Sequence, residues 1–299
     1  MTTDYGHDLL FGTFVTPTNH PAHQAVEQAV VADRAGLDLV TFQDHPYVAR
    51  FHDTWTLMAY AAARTERVRI AANVHNLPLR PPAVLARSAA SLDVLSGGRV
   101  ELGLGAGGFW DGIAGMGGPR LSPGESIEAL DEAIQIIRGI WDTEDRSVLS
   151  VRGKHYDVHG AKRGPAPVHP IGIWVGAYKP RILRLVGRAS DGWLPSLQYL
   201  KGGVSDLADM NQRIDDAAVK AGREPGAVRR LLNIGGRFAT QSNGFLQGPP
   251  AQWAEELSEV ALTYGTSGFV LASDDTTMTQ TFAAEVAPAV REQVSAARA

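Results

Sequence analysis

Short apolar, β-prone runs alternate with longer stretches of helical periodicity along nearly the whole chain. Leu9 to Val15 is such a run, closed by Thr16-Pro17, and His23 to Ala35 follows with helical spacing and stops at Gly36. The pattern then repeats: Leu37 to Phe42 with helix Asp53 to Arg64, Val68 to Val74 with helix Pro81 to Leu95, and Arg99 to Leu104 with helix Glu125 to Trp141. In that last helix Ile127, Leu130, Ile134, Ile137 and Ile140 recur at helical spacing. Thr143 to Pro170, rich in Gly, Pro and His, breaks the rhythm and reads as an inserted hairpin and loop. The alternation resumes with Ile171 to Val175 and helix Arg181 to Arg188, then Gly192 to Leu194 and helix Val204 to Ala221. Leu231 to Phe238 precedes helix Pro250 to Tyr264, and Gly268 to Ala272 leads into a last helix. Runs such as VRIAANV and FVLA are apolar throughout, as strands covered on both faces are, so the sheet is parallel. Eight units predict an α/β fold, a (β/α)8 TIM barrel, as a single domain over residues 1–299. An open doubly wound sheet is the alternative, but no phosphate-binding GxGxxG follows the first strand.

Composition narrows the function classes. With 44% hydrophobic and 20% charged residues, the chain can bury a sizeable core. A net charge of -4, with both signs interleaved, offers no field for nucleic acid or an anionic membrane. Zero cysteines exclude disulfides, thiolate metal sites and a cysteine nucleophile. No apolar run approaches the roughly 18 residues of a membrane span, and MTTDYGHDLL lacks the pattern of a signal peptide, so a cytoplasmic location is expected.

In a barrel of this kind, polar residues just after the strands face the active-site mouth. Strand two is followed by QDHPY, where His45 is the strongest candidate for relaying a proton or stabilising an anion, and Asp44 can bias its charge. Both could instead only cap the next segment. Strand three ends in a polar cluster, Asn73, His75 and Asn76 around Val74. His75 is either a site residue or a packed loop histidine. The spacing of His20, His45, His52 and His75 matches no compact metal-ligand pattern, and no metal site is expected. Strand four runs into LGLGAGGFWDG, whose glycines, Gly105 and Gly107 among them around Ala106, let backbone approach a flat or phosphorylated ligand. After strand five, Gly176, Ala177 and Tyr178 lead into a helix whose free N–H groups can hold an anion. Arg188 is either a ligand contact or a surface partner of Asp191. Phe14, Phe109, Trp110 and Tyr178 could wall a ring system, though each could equally be core.

Taken together, QDHPY, then IAANV followed by LPLRPPAVLARSAASLDVLSGGRVELGLGAGG, then VGAYKPRILRLVGRASDGW, resemble the luciferase-like flavin monooxygenase family. The resemblance runs from about Phe11 to Gly192, and its most specific stretch is Pro81 to Gly107. It implies reduced flavin, FMN, or the deazaflavin coenzyme F-420 in the barrel mouth. It also implies a non-prolyl cis peptide at Asn73-Val74 supporting the ring, which makes these two residues cofactor neighbours. By the same resemblance His45 occupies the position of a chemically active histidine, and Gly105 to Gly107 and Gly176 to Tyr178 contact the cofactor's tail through backbone.

Two departures qualify it. The deazaflavin-dependent sugar-phosphate dehydrogenases carry a glutamate acid just after the strand-four glycines, where this chain has Gly108, Phe109 and Trp110. True luciferases place a phosphate-binding arginine where Ala106 or Gly107 stands. The leading expectation is therefore an FMN-dependent oxidoreductase or monooxygenase that passes electrons from reduced flavin or NAD(P)H to oxygen or a small organic substrate. A flavin reductase is a conceivable partner, and the resemblance implies a homodimer. The alternatives are an F-420-dependent hydride-transfer enzyme and, from another class, a non-catalytic flavin-binding protein.

Overall fold

A computed structural model describes residues 4–299; the single-domain range and the reading of the N-terminus both begin on residues 1–3, outside the described residues. Eight parallel strands form the centre: β1 Leu10–Val15, β2 Leu39–Phe42, β3 Arg69–Ala72, β4 Val100–Gly105, β5 Ile173–Val175, β6 Gly192–Trp193, β7 Arg229–Ile234 and β8 Gly268–Ala272. Each pairs with its neighbour in sequence, and β1 returns to β8 with Leu10 opposite Gly268, which closes the barrel. Helices α1 Gln24–Ala35, α2 Thr54–Ala62, α3 Pro82–Ser96, α4 Pro123–Trp141, α5 Pro180–Ala189, α6 Asp206–Lys220, α7 Pro250–Tyr264 and α8 Ala287–Arg298 follow the successive strands. No helix among the described residues is long and apolar enough to cross a membrane.

Local chemistry sets the boundaries. Helix α1 stops at Gly36, whose φ of 88° lets its N–H reach back to the carbonyls of Ala32 and Asp33. Helix α4 starts two residues before its predicted beginning, because Ser122 and Glu125 form a reciprocal capping box around Pro123. The inserted segment contains the expected hairpin, an antiparallel pair of Leu149–Arg152 and Asp157–Ala161.

Two predicted strands differ from what forms. Strand three was expected to reach Val74 but ends at Ala72; the Asn73-Val74 peptide is cis, and the chain resumes pairing with β4 only at His75 and Asn76. Strand seven ends at Ile234 rather than Phe238. Gly235 and Gly236 interrupt it, and Arg237–Phe238 pairs instead with Gln247–Gly248.

Two apolar clusters make the core. The larger lies between strands and helices and includes Phe11, Phe42, Ile70, Trp253 and Phe282. The smaller joins Leu39, Ala71, Trp174, Leu194, Leu231 and Val270, the inward members of the alternation, and fills the barrel's interior. At β4 the inward position is Gly103, where a Cβ would lie 2.1 Å from the Ala72 carbonyl oxygen. That contact is with backbone, so an added methyl must push strands apart.

Gly103→Ala should therefore cost about 1–3 kcal/mol by overpacking, read as a lower midpoint in thermal unfolding followed by circular dichroism. An unchanged midpoint would mean that β3 yields freely at Ala72.

Candidate active site

The strands' C-terminal ends open into a cavity of about 510 Å³, a size suited to a small organic ligand or cofactor. It gathers the ten residues expected at the proton carrier and the cofactor: Asp44 and His45 after β2, Asn73 and Val74 after β3, Gly105, Ala106 and Gly107 at the end of β4, and Gly176, Ala177 and Tyr178 after β5.

The floor is a layer of polar side chains stacked on the apolar interior. The Asn73 amide donates to Asn233 Oδ1 at 2.7 Å, and the Asn233 amide donates back to Asn73 Oδ1 at 3.2 Å. Asn233 also donates to Ser196 Oγ at 3.0 Å, and Asn73 to Thr41 Oγ1 at 3.3 Å. These groups come from four strands or strand ends, so the layer spans the barrel.

One wall is nearly free of side chains. A Cβ on Gly105 would stand 2.6 Å from Val74 Cγ2, and one on Gly107, whose φ is 98°, would stand 2.7 Å from the Trp110 ring. Only glycine fits at these two places. With Ala106, Gly176 and Ala177 they leave a shallow apolar cradle against Val74, into which a flat ring can press. Beyond it, Lys179 lies at the mouth and caps the N-terminus of α5, where the first-turn N–H groups favour an anion.

The opposite wall carries the titratable group. His45 Nδ1 lies 2.6 Å from the Tyr47 hydroxyl, and its ring meets Phe109 edge to face at 5.3 Å. Nε2 has no partner among the described residues. Burial pushes the imidazole below its ordinary pKa, a stronger effect than the opposing pull of the Asp44 carboxylate. Burial likewise raises the Tyr47 hydroxyl, so at neutral pH it stays protonated.

Asp44 itself turns to structure. It is 2% exposed, and Arg80 grips both its oxygens at 2.6 Å while the Asn76 N–H donates to one of them. Burial alone would raise this carboxyl, but the Arg80 and His75 hydrogen bonds outweigh it and hold it far below the usual range. Arg80 also reaches Asp53, the N-cap of α2, so one guanidinium joins the loops after β2 and β3. His75 is fully buried against Trp55, pairs with β4 at Leu104, and still borders the cavity.

Other expectations fall outside the cavity. Arg188 pairs with Asp131 on the surface, and Asp191 pairs with Arg138 and accepts the Ile173 N–H. His52 bonds the Ala22 carbonyl, and Trp110 packs behind Gly107. Phe14, Phe109 and Tyr178 do line the cavity, and Tyr178 accepts the Ser196 N–H at 2.8 Å. Arg80, Asn233, Ser196 and Tyr199 were missed. For Asn233 a signal existed: it is the one polar residue in the run LLNI and shares the inward parity of Leu231.

A parallel eight-stranded barrel with a glycine cradle facing a half-buried histidine describes a class of enzymes that hold a flat redox cofactor. The chain belongs to the luciferase-like monooxygenase family, whose model matches residues 8–238. It is 31% identical over 236 residues to the F-420-dependent glucose-6-phosphate dehydrogenase of Nocardia farcinica, covering 76% of this chain and 68% of that protein. It is 35% identical over 175 residues to the enzyme of the same name from Amycolatopsis mediterranei, covering 56% of this chain and 52% of that one, so the match spans about half of that relative. Among solved structures it resembles an F-420-dependent secondary alcohol dehydrogenase in complex with an F-420–acetone adduct, with a TM-score of 0.83, 19% identity, and coverage of 95% of this chain and 99% of that one. It also resembles the oxygenating constituent of 3,6-diketocamphane monooxygenase from Pseudomonas putida in complex with FMN, with a TM-score of 0.74, 20% identity, and coverage of 94% and 98%. These two likenesses establish the fold.

Removing the guanidinium should expose what it does. In Arg80→Gln the buried Asp44 carboxylate loses its main partner, at a cost of about 3–5 kcal/mol at neutral pH. A depressed carboxyl pKa contributes stability above its unfolded value and loses it as pH falls through the folded one. The variant raises the folded value, so acid unfolding followed by tryptophan fluorescence should begin at higher pH than in the parent. Superimposable acid transitions would show that Arg80 is dispensable.

Proposed function

We propose that this member of the family is an oxidoreductase dependent on coenzyme F-420, moving a hydride between the cofactor and a small organic substrate without oxygen. The relatives at 31–35% identity support the deazaflavin over FMN. The observation that carries the reading is the His45–Tyr47 pair facing the Gly105–Val74 cradle across one cavity. When bound, F-420 supplies a ring carbon able to accept or return a hydride. The chain's residues do the rest.

Val74, Gly105, Ala106, Gly176 and Ala177 would hold the ring through shape, with Lys179 and the α5 N-terminus drawing the cofactor's phosphate. His45 is the proton carrier. Tyr47 occupies Nδ1 and fixes the imidazole's orientation, and the depressed pKa keeps the ring neutral at neutral pH. Nε2 can then take a hydroxyl proton while a carbinol carbon becomes a carbonyl, or return it in the reverse direction. The apolar cradle faces that proton across the cavity, with Phe109 at its rim.

FMN in the same cradle is the second reading, supported by the monooxygenase description of the matching family model. NAD(P)H or a flavin reductase would then supply electrons.

Fluorescence titrations with F-420 and with FMN separate them. F-420 binding without FMN binding is expected; the reverse outcome favours the monooxygenase, and binding of neither would falsify both. Because neutral His45 is the working form and its pKa is lowered, the acid limb of kcat/KM with an alcohol should lie below the ordinary histidine value of about 6.5. His45→Asn should lower kcat by roughly 10²–10⁴ and abolish that limb. A variant with the parent's pH profile would exclude His45 as the base.

A further inference from the structure

The cavity's supply of positive charge limits what it can bind. Four charged or chargeable side chains besides Tyr line it: Asp44, His45, His75 and Lys179. Asp44 is neutralised by Arg80, and Arg80 spends its guanidinium on Asp44 and Asp53. His75 is buried, and burial lowers both imidazoles toward the neutral form. Arg120, in the loop after β4, pairs with Asp111. Among the described residues that line the cavity, Lys179 is thus the one unpaired cation, and it stands at the α5 N-terminus on the cradle side.

A sugar phosphate brings a dianion that needs its own donors, since a charge taken from water without partners is expensive. If the cofactor's phosphate takes Lys179, no other unpaired cation lining the cavity remains for a second one. The substrate side offers a different surface. His45, Tyr47 and Phe109 form a triangle of rings with centroids 5.3–6.1 Å apart, and Tyr178 meets Tyr199 edge to face at 5.7 Å. Phe109 is 64% exposed and Tyr199 63% exposed, both at this mouth. Large aromatic faces left in water at a cavity rim gain most from an apolar occupant.

We infer that the substrate is an uncharged alcohol, or the matching carbonyl compound, carrying an apolar or aromatic substituent, and that Phe109 selects it. This rests on the deazaflavin reading. In the oxidative direction the carbinol C–H bond breaks with its electron pair passing as hydride to F-420, the O–H proton passes to His45 Nε2, and the C–O bond becomes double. Phe109 stands just after the strand-four glycines, so an aromatic ring rather than a charge borders the proton carrier.

The test begins with F-420 titration of the protein, where absence of binding would defeat the cofactor reading itself. With F-420 bound, initial rates of its reduction are measured with 2-propanol, cyclohexanol, 1-phenylethanol and glucose 6-phosphate. Expected is a kcat/KM that rises with the apolar group, about tenfold or more from the first alcohol to the third, and no turnover of the sugar phosphate. Saturable turnover of glucose 6-phosphate, or indifference to all three alcohols, overturns the inference while leaving F-420 binding intact. Phe109→Ala should raise KM for 1-phenylethanol about tenfold with a smaller change in kcat, the mark of lost ground-state binding. Phe109→Leu, which keeps apolar area, should recover most of that loss. Equal KM values in all three proteins would remove Phe109 from the specificity surface.

Discussion

The Asn73–Asn233 amide exchange divides the molecule into two halves with different jobs. Below it, Leu39, Ala71, Trp174, Leu231 and Val270 pack into an apolar plug, with the Arg69–Glu101 ion pair at its far end. Above it, the strands have ended and the loops are free to differ. An amide pair suits this boundary because each partner supplies both a donor and an acceptor, so a buried polar layer is satisfied without a charge. The bond also fixes Asn73 just where the chain turns out of β3, and so fixes where Val74 stands. Val74 in turn makes glycine obligatory at 105. The cradle follows from a hydrogen bond at the floor.

This chain of dependence explains what was legible in the sequence. The barrel could be read because its alternation of apolar runs and helical periods is local, repeated eight times, and punctuated by glycine at Gly36 and Gly97-Gly98. The site residues that could be read, His45 and the two glycine-rich strand ends, lie directly after an apolar run, where topology alone aims them at the mouth. Arg80 could not be found that way. Its meaning lies in Asp44, 36 residues away, and its neighbours Leu79, Pro81 and Pro82 mark it only as part of a turn. Asp44 was read only in part for the same reason: it pulls on His45 as its adjacency suggested, but its main partner is Arg80. Strand three was overextended because Val74 continues an apolar run, while the backbone bulges to place that side chain over the cavity.

Electrostatics in the cavity follows from the same committed pairs. Had Asp44 faced His45 without Arg80, the carboxylate would hold the imidazole charged, and a charged imidazole cannot accept a proton. Asp44 is committed to Arg80, and burial outweighs the carboxylate's remaining pull on the histidine. The rings of Tyr47 and Phe109 border the imidazole on two sides. An imidazole held toward its neutral form between Tyr47 and Phe109 suits the proposed loss of a proton and a hydride together, because no net charge has to be solvated on the substrate before or after the step.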